Sequence, residues 1–293
     1  MTGTSVRLGA NRYGKAETRV VALRRDSDRH EITDVNVSIA LSGELAATHL
    51  TGDNAAVLPT DTQKNTVYAF AKKYGIDQPE TFALLLAERF VAGQPTITHA
   101  RVAIESYGWQ RVGATGHSFA RTGPEVRTCV VHHDAEATHV VSGVSDLVLL
   151  NSTDSEFWGY LVDEYTTLAE TTDRILATAV TASWRHADLP ADPAGWEKSY
   201  TTAKQDLIDA FAETYSYSLQ QTLYAMGQRV LDNQPGVCEA RLSLPNKHHF
   251  PVDLTPFGLD NDGEVFFAAD RPYGLIEGTV IRDDAPAAGQ AWE

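Results

Sequence analysis

The chain of 293 residues is 43% hydrophobic and 22% charged, enough for a sizeable core and, at ordinary domain sizes, two folded units. Its 24 lysines and arginines stand against 39 aspartates and glutamates, a net charge of −15. That balance argues against binding to nucleic acid or an anionic membrane surface, since both need basic patches. An anionic ligand would have to be captured by locally placed cations.

The first strand signal covers residues 15–20, where Lys15, Glu17 and Arg19 alternate with Ala16, Thr18 and Val20. A second, over 32–41, puts Val35, Val37, Ile39 and Leu41 on one face. Thr60-Asp61-Thr62 then opens a helical pattern with Thr or Asp as its cap. The next helix is better marked: Asp77 caps it, Pro79 suits its first turn, and Phe82, Leu85, Leu86 and Phe90 form an apolar stripe. Strand patterns resume over 96–109 and 117–121, and Gly123-Pro124 is the best candidate for an interdomain break. Beyond it, 127–133 and 140–150 read as a hairpin and 175–184 as a strand. Two helices follow, one lined by Ala203, Leu207, Ile208 and Phe211, the other by Leu219, Leu223, Met226 and Val230. Strands over 240–244, 265–269 and 275–281 close the chain.

Each half therefore reads as strands, two helices, then strands. The expected fold is α+β, with antiparallel sheets carrying paired helices on one face, in domains 1–130 and 131–293. A faint local echo accompanies the repeat: Val57-Leu58 precedes Thr60-Asp61-Thr62, and Val148-Leu149-Leu150 precedes Thr153-Asp154-Ser155. Cys129 and Cys238 offer no disulfide framework and no metal-ligand spacing, and read as buried free thiols. No apolar run approaches the ~18 residues of a membrane span. The N-terminus lacks a signal-peptide core, and Ala291-Trp292-Glu293 does not match a Ser-Lys-Leu address. A reducing cytoplasm is the expected compartment.

Four strings cluster polar residues beside apolar runs. In Tyr13-Gly14-Lys15-Ala16 a lysine opens a strand; its plain reading is a surface charge, and its functional one is a crowded lysine acting as a base. Residues 60–66, Thr-Asp-Thr-Gln-Lys-Asn-Thr, form a helix start whose free N–H groups suit an anion or a polar ligand edge. Phe157, followed by Asp173-Arg174, offers a stacking surface and a planar fork of donors for a flat anionic heterocycle. Core packing and a surface ion pair are the plain alternatives. Leu244-Pro245-Asn246-Lys247-His248-His249 reads as a polar turn with a loop histidine, or a histidine that shuttles protons; no partner completes a metal site. There is no Walker loop, dinucleotide-binding glycine motif or nucleophile elbow.

Together these strings resemble the urate oxidase family. The match runs in order through Tyr-Gly-Lys (13–15), Thr-Asp-Thr-Gln-Lys-Asn-Thr (60–66), Thr-Thr-Leu-x-Glu-Thr-x-Asp-Arg-Ile-Leu (166–176), Gln-x-Thr-Leu-Tyr-x-Met (220–226), Leu-Pro-Asn-Lys-His (244–248) and Ala-Asp-Arg-Pro-Tyr-Gly-Leu-Ile (269–276). The resemblance implies tandem T-fold (tunnelling-fold) domains, a homotetramer around a barrel-lined tunnel, and no metal or organic cofactor. It implies that Phe157 stacks on urate, that Arg174 and Gln220 grip its edges, that the Leu219 backbone amide touches it, and that Asn246 holds dioxygen or water above the ring. Thr60 and the Asp61 N–H would come from the adjacent subunit, and Lys15, Thr60 and His248 would form a proton relay. One departure is Pro59 before Thr60, where the family often carries a small residue; proline stiffens that approach. Two other readings are a zinc-dependent pterin or purine enzyme on the same fold, and a purine-binding protein without turnover.

Overall fold

The computed structural model describes residues 5–293 and divides into two compact units. The first runs through Ser142 and also takes Leu189–Glu197 and Ala287–Glu293; the second comprises Gly143–Asp188 and Lys198–Pro286. In the first, β1 (Tyr13–Arg24), β2 (Glu31–Gly43), β3 (Ile97–Arg111) and β4 (Phe119–Asp134) pair antiparallel in chain order. Between β2 and β3 come the short α1 (Ala46–Leu50) and the pair α2 (Thr60–Tyr74) and α3 (Pro79–Gly93). The period-two pattern of β2 buries Val35, Val37, Ile39 and Leu41, which share a core with Phe82, Leu86 and Phe90 of α3. Leu85 stays partly exposed; Ala83 and Ala87 complete the buried stripe instead.

Strand β5 (Thr138–Asn151) begins in the first unit and ends in the second. There β6 (Leu176–His186), β7 (Val237–Pro251) and β8 (Phe266–Ile281) pair antiparallel in that order. Helices α4 (Pro193–Glu213) and α5 (Leu219–Asn233) lie between β6 and β7 in sequence. The expected stripes are largely realised: Ala203, Leu207 and Phe211 of α4 and Leu219, Leu223, Met226 and Val230 of α5 are buried with Trp184 and Leu244, while Ile208 packs against this core partly buried.

The repeat is most exact in α3–β3 and α5–β7. Both helices have 15 residues, as do both strands, and the spacing from helix to strand is the same. Pro79 thus matches Leu219, and Glu80 matches Gln220. The echo read at Thr153-Asp154-Ser155 is not part of this repeat. Thr60 opens a helix, whereas Thr153–Ser155 lies in an irregular loop in which Asp154 takes a left-handed φ of +59°.

Three local expectations are corrected. Gly123-Pro124 lies inside β4, where the register jumps from Tyr107↔Val126 to Trp109↔Arg121; that irregularity tolerates a proline that cannot donate to the ladder. Helix α2 is capped by Pro59 and α3 by Gln78, so Thr60 and Asp61 already lie in the first turn of α2 and Asp77 precedes the α3 cap. Gln78 is held extended (ψ 140°) by the proline after it. Finally, residues 244–250 belong to β7: Asn246 faces Gly274, and His248 and His249 face Ala269 and Ala268 of β8. Among the described residues no helix is long and apolar enough to cross a membrane, and both cysteines are buried free thiols.

Candidate active site

Lys15, Thr60 and Asp61 belong to the first unit. Two features place Lys15. Gly14 passes so close to β2 that a Cβ there would fall 1.8 Å from the Ile39 carbonyl oxygen, so the position demands glycine. Immediately afterwards the pairing skips from Lys15 to Thr18, and Glu17 adopts a left-handed φ of +56°. Such a bulge re-aims the side chains beside it. The start of β1 is then tied to the start of α2: the Tyr13 hydroxyl donates to the Leu58 carbonyl (3.1 Å) and accepts from the Leu58 N–H (2.9 Å). Pro59 has no side-chain donor or acceptor, so the first-turn N–H groups of α2 have no side-chain cap. Lys64 and Asn65 hold the Asp61 carboxylate, and Lys64, with a lesser contribution from Lys15, keeps it below the usual carboxylate range.

Phe157, Arg174, Leu219, Gln220, Asn246 and His248 belong to the second unit. Phe157 is fixed by a two-bond bridge to Thr171 (N–H to carbonyl, 2.8 and 3.0 Å). Tyr160 stacks on it at 5.0 Å between ring centres and donates its hydroxyl to the Leu168 carbonyl. The Arg174 guanidinium carbon lies 5.1 Å from the Phe157 ring centre. Burial pushes the Arg174 pKa down, and among the described residues no carboxylate pairs with it, so the surface-ion-pair reading does not hold. Arginine stays cationic regardless.

At the N-terminus of α5, Ser218 caps by accepting from the Gln221 N–H (3.2 Å), and the Gln221 side chain accepts from the Tyr217 N–H (2.9 Å). Leu219 is 2% exposed, so its side chain serves the core while its N–H sits in the first turn; Gln220 is exposed. On β7, Asn246 and His248 are half-buried and flank a register shift. His248 stacks on Phe250 at 5.7 Å. Burial first, and the Arg174 charge second, lower the His248 pKa, which keeps the imidazole neutral near pH 7. Among the described residues no three His, Cys, Asp or Glu side chains assemble to hold a metal ion.

Sequence reasoning missed Tyr160 behind Phe157, and Ser155, whose hydroxyl accepts from Arg174 Nε at 3.1 Å. The run Phe157-Trp158-Gly159-Tyr160 was a signal for the first. A lone serine in a polar loop gave none for the second.

The family model described as Uricase matches residues 11–132 and 140–277. Uricase from Arthrobacter globiformis is 49% identical over 291 residues, spanning 99% of this chain and 95% of the relative, and that from Dictyostelium discoideum is 37% identical over 93% and 96%. The crystal structure of the Arthrobacter globiformis uricase superposes with a TM-score of 0.93 at 49% identity, covering 97% of this chain and 98% of that one.

Proposed function

Since the chain belongs to the uricase family, we propose that it oxidises urate with dioxygen to 5-hydroxyisourate and hydrogen peroxide, without a metal or organic cofactor. The observation that carries this reading is Arg174 set 5.1 Å from the Phe157 ring with no carboxylate among the described residues to neutralise it: a flat anion needs both a stacking face and an uncommitted positive charge. Arg174 and Gln220 grip the purine edges, the Leu219 N–H adds a contact, and Phe157, backed by Tyr160, supports the ring.

Dioxygen is a triplet, so direct two-electron attack on closed-shell urate is spin-forbidden. A urate deprotonated further passes one electron to dioxygen, and the radical pair recombines and takes back the proton held by the base pair, giving a hydroperoxide. Water then displaces hydrogen peroxide and leaves 5-hydroxyisourate. The protein's part is deprotonation, positioning and a slot for dioxygen. Lys15 and Thr60 form the base pair. His248, neutral near pH 7, relays protons between them and solvent, and Asn246 holds dioxygen or the attacking water. Thr60 and the Asp61 N–H reach the purine from an adjacent subunit, and the active form is a homotetramer built from tandem T-fold domains, 1–130 and 131–293. The two compact units and the matched α3–β3 and α5–β7 segments support the tandem repeat. The net charge of −15 favours neither nucleic acid nor an anionic membrane as partner, and the two free thiols suit a reducing cytoplasm.

The test is direct. Metal-stripped protein consumes urate absorbance and dioxygen while producing peroxide. Ligand binding without oxygen uptake would leave only a binding protein, and an absolute requirement for stoichiometric zinc would favour a hydrolase of the same fold.

A further inference from the structure

We propose that Ser155 is a positioning residue that sets the orientation of Arg174 and ties it to the start of α5; the inference rests on the urate-binding role given above. Ser155 is fully buried, and its hydroxyl is the hydrogen-bond partner of Arg174 Nε at 3.1 Å. A guanidinium has two bidentate edges, one using Nε with an Nη and one using both Nη atoms. With Nε held by Ser155, the first edge is occupied and the Nη pair is left for the anion.

The serine is itself held on both sides. The Glu156 N–H donates to the Ser216 carbonyl (2.8 Å), and the Ser216 N–H donates to the Asp154 carbonyl (2.9 Å). Ser216, also fully buried, donates its hydroxyl to the Ser218 carbonyl (3.1 Å) and accepts from the Thr222 hydroxyl (2.8 Å). Ser218 and Thr222 lie at the cap and in the first turns of α5, on either side of Gln220. A continuous chain of bonds therefore runs from the arginine to the helix turn that carries its partner glutamine. Thr171 and Asp173 brace the loop from the other side, through the Phe157 bridge and the Thr153 hydroxyl to Asp173 Oδ1 (2.8 Å).

Loss of the serine hydroxyl frees the guanidinium to rotate, which weakens substrate and transition state alike. In such a case KM rises while kcat stays nearly constant. One hydrogen bond to a charged group corresponds to roughly a tenfold change in affinity. The experiment is Ser155→Ala in the full chain, read by urate kinetics and by binding of a non-reactive xanthine. We expect KM and the xanthine Kd each to rise about tenfold, with kcat within about threefold and Tm nearly unchanged. In an Arg174→Ala background the same change should have no further effect on xanthine affinity, whereas a merely structural serine would add its own loss there. Ser155→Cys, close in size and a weak acceptor, gives a second variant should the alanine not fold; it should fall between parent and alanine. A folded Ser155→Ala or Ser155→Cys chain that binds as tightly as the parent overturns the inference alone. A parent that neither binds the xanthine nor consumes urate overturns the proposed function, and the inference with it.

Discussion

Helices α3 and α5 begin at matching places in their units, yet the second residue of one is buried and paired and that of the other is exposed. In α3 the second residue is Glu80, fully buried; it receives Arg127 Nη2 at 2.8 Å and the Ser142 hydroxyl at 2.8 Å, and Arg127 also reaches Glu197 at 2.7 Å. In α5 the matching residue is Gln220, exposed, beside a cap satisfied by Ser218 and Gln221. A second pair runs the other way. The left-handed bulge residue Glu17 of β1 follows Lys15 by two, and Asp146 of β5, also at φ +56°, follows Val144 by two. Lys15 is half-buried, whereas Val144 is fully buried in the second core. One frame is thus used twice, and its chemistry is divided by which side chain stands at each matched position. The first unit keeps the lysine and buries the second residue of its helix; the second places valine at the matched strand position and exposes the second residue of its helix.

The largest effects should come from exchanging those roles. Lys15→Met is expected to lower turnover by about 10²–10⁴, the range of a positioned proton transfer, while xanthine binding stays near normal. Steady-state oxygen uptake together with xanthine titration checks it, and unchanged turnover would remove Lys15 from the base role. Glu80→Gln should act in the opposite currency of stability against catalysis. It withdraws the fully buried carboxylate from Arg127, which keeps Glu197, so the loss should fall below the roughly 3–5 kcal/mol of a pair left uncompensated. Denaturant unfolding should show that loss with kcat and KM of the folded protein unchanged. Full stability in the variant would mean that the buried start of α3 is not what the ion pair secures.

The fold was largely legible because both periods are long and consistent: Val35 to Leu41 at two, Leu219 to Val230 at the helical repeat. The helix caps were less so. A capping side chain is one residue among several plausible ones, and proline at 59 and 79 shifted both boundaries by its effect on backbone rather than by a hydrogen bond. Leu244–Phe250 read as a turn because proline, asparagine and histidine are poor strand formers. Pairing with β8 overrides that preference, since register in a sheet is fixed by neighbours remote in sequence. The candidate site residues were named by resemblance to a family. Composition and spacing alone reached only a site for a planar polar ligand. Ser155 and the Glu80–Arg127 pair were invisible because their meaning lies in contacts between loops and strands that no local pattern encodes, whereas Tyr160 was signalled only by its place in an aromatic run.

Acid should weaken both units, with a sign set by two buried histidines. His186 in the second unit is pushed down to about 4 by burial, and His132 in the first to about 3, by burial and then the nearby His99 and Arg101. Both are neutral in the fold at pH 7 and would charge on unfolding below about 6.5. Their stabilising contribution is complete above that value and is lost as pH falls through the folded-state value, so stability declines from about pH 6.5 towards 4. For His186, 7% exposed, the loss is about 3 kcal/mol. Unfolding free energies across that window should slope less in His186→Asn; an unaltered slope would assign the acid sensitivity elsewhere.

The smallest effect should be the most discriminating. Gln220 is exposed and stands where Glu80 carries stability, so Gln220→Ala leaves no buried group unsatisfied and should leave Tm nearly unchanged. Its neutral hydrogen bonds to a ligand edge are each worth about 1 kcal/mol, so xanthine Kd should rise about fivefold. The measurement pairs calorimetric Tm with a binding titration on the same preparation. A fall in Tm with unchanged affinity would mean that α5 uses its second residue as α3 does, for its own closure, and the division of roles between the two helix starts would not stand.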